Sequence, residues 1–100
     1  MSRIRIDEID SVIHGRLRLG VMAYLADAEA ADFTELKQAL EATQGNLSAN
    51  LITLEKAGYI AIEKSFSGRR PLTRARITRE GREAFRRYLL QMATLIETLK

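Results

Sequence analysis

The sequence predicts an α+β fold that is mainly α with one small β-hairpin. Three observations lead there. Apolar residues recur at helical spacing in four stretches, the content turns strand-like at Tyr59–Lys64, and alternation follows from Leu72 to Ile77 after a loop containing Ser, Gly and Pro. The 100 residues are read as one domain, 1–100, because no linker, repeat or low-complexity run divides them and the single proline, Pro71, comes late. With 46% apolar and 29% charged residues, the composition is that of an ordinary globular protein.

From about Asp7 to Ala26 the spacing of Ile9, Val12, Ile13, Leu17, Val21 and Leu25 is helical, and Gly15 marks where a short leading helix gives way to a longer one. Asp27 to Asp32 reads as an acidic, alanine-rich connection. Thr34 is expected to cap a second helix, with Glu35 in its first turn and Leu36, Ala39 and Leu40 inward, ending near Glu41. Thr43, Gln44 and Gly45 form a tight turn. A third helix, from about Asn46 to Ala57, puts Leu47, Leu51 and Leu54 in one stripe, and Gly58 falls where a left-handed cap closes helices.

Tyr59 to Lys64 then reads as a strand and Ser65 to Pro71 as a loop of about five to seven residues. From Leu72 to Ile77, Arg74 and Arg76 take one face and Thr73, Ala75 and Ile77 the other. Thr78 caps a last helix whose apolar stripe is Phe85, Tyr88, Leu89, Met92, Leu95, Ile96 and Leu99. Two helices joined by a Gly-containing turn, at about 34–57, lead at once into a basic hairpin at about 59–77. That order outlines a winged helix-turn-helix, with the last helix, at about 79–98, left for dimerisation.

The absence of cysteine excludes disulfides, thiol catalysis and cysteine-ligated metal, and fits a reducing, cytoplasmic setting. No window approaches 18 apolar residues, so no membrane partner is expected, and the N-terminus carries no secretory signal. His14 is the lone histidine, and no glycine-rich phosphate cradle or Ser/His/Asp set is present. No catalytic residue, metal or cofactor is therefore expected. Charge is more informative. Residues 1–62 carry six Lys/Arg against nine Asp/Glu, while residues 63–100 carry ten against four, nine of those ten lying between Lys64 and Arg87. A local basic stretch in an otherwise mildly acidic chain is the footprint of a polyanion partner.

With the leucine stripe inward, the third helix presents Gly45, Ser48, Ala49, Ile52, Thr53 and Lys56, with Asn46 and Asn50 at its flank. Small, uncharged side chains suit a helix that enters a major groove about 12 Å wide, where Asn can pair with adenine and the Ala methyl can meet thymine. Asn46, Ser48, Ala49, Asn50 and Thr53, with the open backbone at Gly45, are the expected recognition set. On the wing, Lys64, Ser67, Gly68, Arg69, Arg70 and Arg74 are expected to meet phosphates or a minor groove. Arg76, Arg79, Arg82, Arg86 and Arg87 are expected to contribute to the field and not to make contacts. Ile4, Ile6, Ile9 and Ile13 at one end, and Tyr88, Leu89, Met92, Leu95, Ile96 and Leu99 at the other, are the expected dimer surface.

The segments IHGRLRLGVMAYL, DFTELKQAL, TQGNLSANLITLEKAGYI and FSGRRPLTRARITREGREAF together resemble the small stand-alone winged-helix transcriptional regulators related to the MarR and ArsR families, from about Asp10 to Tyr88. The resemblance implies that the helix Asn46–Ala57 enters a major groove, that Gly68–Arg70 meets the neighbouring backbone or minor groove, and that the flanking helices form a dimer. Family members often carry His or basic residues where this chain has Asn50, Ile52 and Thr53, which shifts affinity toward the wing. The expected function is a non-enzymatic, sequence-specific, double-stranded DNA-binding transcriptional regulator, a homodimer on a palindromic operator. Two alternatives stay open: a protein-interaction module using Ile52 and the terminal helices, and a repressor responding to a small-molecule effector, for which no polar cluster defines a pocket.

Overall fold

The computed structural model describes residues 5–99, so Ile4 lies outside the described residues. A single 3-10 turn at Ile6–Glu8 precedes α1 (Arg16–Ala28), β1 (Ala30–Asp32), α2 (Phe33–Ala39), α3 (Gln44–Lys56), β2 (Ile60–Ser67), β3 (Arg70–Ile77) and α4 (Arg79–Leu99). The strands form one antiparallel sheet in the order β1-β3-β2. The fold is the α+β architecture expected, four helices around a small sheet.

Local chemistry moves several boundaries. The expected leading helix is reduced to one 3-10 turn because the Asp10 carboxylate accepts from the amides of Val12 (2.9 Å) and Ile13 (3.1 Å), a local alternative to the helix ladder. Ala30–Asp32, expected as a connection, is a strand that pairs Ala31 with Ala75 at the root of the hairpin. It ends directly in α2, whose cap is Asp32 and not Thr34: the Asp32 carboxylate accepts from the Glu35 amide at 2.8 Å. Ala39, expected inward, is exposed. Thr43 caps α3 through the Asn46 amide, so that helix begins at Gln44.

The hairpin departs most. Its ladder runs to Ser67↔Arg70, leaving a connection of two residues, Gly68 and Arg69, where a longer loop was expected. Gly68 takes φ +66, the positive value that the first central residue of a tight two-residue hairpin demands and a side chain resists.

The core joins Ile13, Val21, Met22 and Leu25 to Leu36, to Leu47, Leu51 and Leu54 of α3, to Ile60, Ala75 and Ile77 of the sheet, and to Ala84 and Tyr88 of α4. Ile13 (0% exposed) and Tyr88 (3%) were expected on the dimer surface; both are buried within the one chain. Ile13 follows the Asp10 turn inward, and the Tyr88 hydroxyl meets His14 Nδ1 at 2.8 Å, which accounts for the lone histidine. Ile9 and Met92 are half-buried against the core and Leu95 is half-buried; Ile6, Leu89, Ile96 and Leu99 are exposed.

The β3–α4 junction is held by backbone. Thr78 donates its hydroxyl hydrogen to the Gly58 carbonyl (2.6 Å) and accepts from the Gly81 amide (2.9 Å), capping α4 as expected. A Cβ at Gly81 would stand 2.0 Å from the Tyr59 carbonyl oxygen, so α4 can lie this close to β2 only with glycine there. Gly81→Ala is expected to lower stability by about 1–3 kcal/mol through overpacking, measured as a fall in urea midpoint at unchanged slope. A variant as stable as the parent would show that α4 is not seated on Tyr59.

Candidate nucleic-acid interface

Leu47, Leu51 and Leu54 lie at i, i+4 and i+7 and are all buried, which fixes the rotation of α3 about its axis. Its outer face is then Gln44, Gly45, Asn46, Ala49, Ile52, Thr53 and Lys56, all exposed, with Ser48 and Asn50 half-buried. Nothing lies within 4 Å of where a Cβ at Gly45 would be, so the backbone at this helix start is open to close approach. Among the first amides of α3, that of Asn46 is taken by Thr43 at 3.2 Å.

Asn50 is not a free reader of bases. Its Oδ1 accepts from Arg18 Nη1 at 2.7 Å and its Nδ2 donates to the Asn46 carbonyl at 2.8 Å, so both ends of the amide that would pair with adenine are engaged. Arg18 also donates through Nε to the Val12 carbonyl, and so ties the start of α1 to the flank of α3. Arg18 was missed by sequence reasoning, since only the fold brings it beside a residue 32 positions later. Thr53 donates to the Ala49 carbonyl at 3.2 Å while staying exposed.

The wing register sorts its charges. Lys64 pairs with Thr73 and lies, by the alternation of β2, on the same face as the buried Ile60, the face toward the helices. Ser67, Arg70 and Arg74 alternate onto the opposite face, where Arg76 meets Glu63 at 3.6 Å. The basic residues expected to act together are thus split between two faces, with Arg69 exposed at the tip between them. On α4, Arg79 pairs with Glu83 (3.3 Å), and Arg82 reaches Glu29 (3.7 Å) and the Ala26 carbonyl (3.1 Å), so both serve the fold.

Between α3 and the wing runs an open groove of about 760 Å³, with Ser48, Ile52 and Glu55 on one wall and Ile62, Lys64, Leu72 and Thr73 on the other. The base of the wing is tied to the segment before α1 by Tyr59, whose hydroxyl donates to Asp10 at 2.5 Å. Burial, then that bond and the carboxylate charge, push the phenol up to about 12, with Arg87 pulling the other way. It remains a donor at any ordinary pH. Among the described residues no group of three His, Asp or Glu side chains is placed to hold a metal ion, and no helix is long and apolar enough to cross a membrane.

Comparison with known proteins agrees with this geometry. Residues 17–96 match the winged helix DNA-binding domain family. A protein of Methanocaldococcus jannaschii, itself uncharacterized, is 32% identical over 89 residues, covering 89% of this chain and 97% of that protein. A solved transcriptional regulator homologue from Pyrococcus horikoshii OT3 superposes with a TM-score of 0.84 at 30% identity, over 89% of this chain and 88% of that one. HlyU from Vibrio cholerae shares the fold, with a TM-score of 0.63 at 22% identity over 82% and 83% of the two chains.

If Asn50 serves Arg18, Asn50→Ala should cost about 1.5–3 kcal/mol of folding stability, the usual range for a hydrogen bond to a charged group. An unchanged denaturation midpoint would return Asn50 to the groups free to meet a ligand.

Proposed function

The chain belongs to the winged helix DNA-binding domain family, and from that membership we propose that it is a sequence-specific transcriptional regulator that binds double-stranded DNA as a homodimer on a two-fold symmetric operator. The observation that carries this reading is the outer face of α3. Gly45, Ala49 and Thr53 leave it narrow and uncharged up to Lys56 at its end, its rotation is locked by three buried leucines, and a basic hairpin stands beside it. A narrow face enters a major groove without steric or charge conflict, and Asn46, Ser48 and Thr53 supply polar contacts to base edges or nearby phosphates. Arg69 and Arg70 at the wing supply sequence-independent attraction to phosphates.

The second copy is inferred from α4. Its apolar stripe begins as core at Ala84 and Tyr88 and continues outward with Leu89 49%, Ile96 58% and Leu99 71% exposed. An apolar stripe of this length left in water marks a contact surface, and an isologous contact between two such helices covers both at once. Reading a two-fold symmetric operator needs two copies of α3 about one DNA turn, ~34 Å, apart. Ile52, half exposed on α3, favours one rival, a module that uses this same face to bind protein.

Selection from a random double-stranded pool tests the reading. Enrichment of a two-fold symmetric motif with half-sites about a turn apart is expected. Enrichment of a lone half-site would remove the dimer, and no retention of any duplex at moderate salt would favour the protein-binding rival. For the wing, the double variant Arg69→Ala, Arg70→Ala should lose affinity for cognate and random duplexes alike, and its log–log salt slope should flatten by about 0.9 for each phosphate that the variant no longer neutralises. An unaltered slope would sink the assignment of these arginines to phosphate.

A further inference from the structure

Phe66 has no place in the core and none in the recognition set above. It lies on β2, two residues before the hairpin turn, and its side chain is 73% exposed. Its cross-strand partner is Pro71, also exposed, so a phenyl ring and a pyrrolidine ring stand side by side near the end of the wing. Behind them on the same face is Lys64, opposite Thr73, while Arg69 occupies the tip and Arg70 the far face. The wing therefore ends in a narrow apolar edge with cations around it.

The backbone holds that edge stiffly. The ladder is continuous from Ile60↔Ile77 at the buried root to Ser67↔Arg70, and the proline ring fixes one torsion of the strand opposite Phe66. Six residues of strand carry Phe66 about 20 Å beyond Ile60, comparable with the roughly 17 Å of half a DNA turn that separates a major groove from the next minor groove. An exposed aromatic ring contributes little to the fold that carries it. Flanked by cations, it suits a partner that has charge outside and flat apolar faces within, which describes a base step seen from the minor groove.

We propose that Phe66, backed by Pro71, is a wedge that enters the minor groove beside the site read by α3 and partly unstacks one base step, kinking the operator. This rests on the DNA-binding reading and deepens it. Arg69, Arg70 and Lys64 engage the phosphates on either side and bring the ring to the groove. Unstacking costs least at pyrimidine–purine steps, so the flank of the operator is selected by deformability at a position where no hydrogen bond is made.

The test uses the full chain and a duplex recovered from the random pool, with 2-aminopurine placed in turn at each adenine flanking the half-site and a donor–acceptor dye pair on the duplex ends. The parent is expected to brighten 2-aminopurine several-fold at one step and to shorten the end-to-end distance. Phe66→Ala should abolish both signals, weaken binding roughly ten-fold, as loss of one base–aromatic stack does, and keep the parent's salt slope and denaturation midpoint. Phe66→Leu, which retains an apolar wedge, should recover most of the bend. Parent binding without local brightening or bending, or a Phe66→Ala protein that bends the duplex as the parent does, overturns the wedge and leaves the DNA-binding reading intact. Failure of the parent to retain any duplex overturns both.

Discussion

The burial of Leu47, Leu51 and Leu54 is the constraint on which the rest of the surface depends. Each is at most 4% exposed, and together they allow α3 one rotation about its axis. Turning the helix by a single residue, 100°, would drive Ser48 into the core and a leucine into water. That exchange would forfeit about 1.5–3 kcal/mol of burial for the leucine alone. The outward direction of Gly45, Ala49, Ile52 and Thr53 is therefore a consequence of what faces inward. Arg18 then braces the helix from the side through Asn50, and Thr43 fixes where it begins.

A second set of contacts transmits this rigidity to the wing. Tyr59 stands between α3 and β2; its carbonyl accepts from the Thr78 amide, its hydroxyl holds Asp10, and Gly81 of α4 lies against it. Helix, strand and terminal helix thus meet around one residue. The three buried hairpin residues Ile60, Ala75 and Ile77 anchor the wing on the core, and β1 widens its root. Helix α3 and the wing are parts of one packed unit, and the groove between them has walls of fixed spacing.

The sequence made α3 and α4 legible because their stripes are long enough for period to speak, and Thr78 because its hydroxyl sits one residue before a helical run. What escaped it was short or non-local. β1 has three residues, with Ala31 alone turned inward, and its partner strand lies more than forty positions away. Asp32 follows from an amide whose direction is known only once β1 exists. Ser65–Pro71 has the composition of a loop, yet the ladder persists through it, because Pro71 lies beyond the stretch of β3 that β1 covers, where a strand tolerates a missing donor. On the site, the outer face of α3 was legible from the leucine spacing, whereas the engagement of Asn50 depends on an arginine from another helix. Ile13 and Tyr88 were apolar residues near the chain ends, and nothing in their spacing distinguishes a core position from a contact between copies.

The sheet narrows toward its tip. It has three strands only at the level of Arg74–Arg76; beyond that, β2 and β3 form a two-stranded ribbon with both outer edges unpaired among the described residues. Unpaired edges are templates on which another chain can add a strand, and a ribbon carrying an exposed phenyl ring would be an inviting one. Lys64, Arg69 and Arg70 lie along this stretch, and like charges on two approaching ribbons repel. On the proposed function, the arginines that would draw a polyanion also hold one ribbon away from the next, so the same charges would serve both purposes. Neutralising the wing would remove this protection, and a chain stripped of these cations would be held apart from its neighbours by little more than the twist of its ribbon.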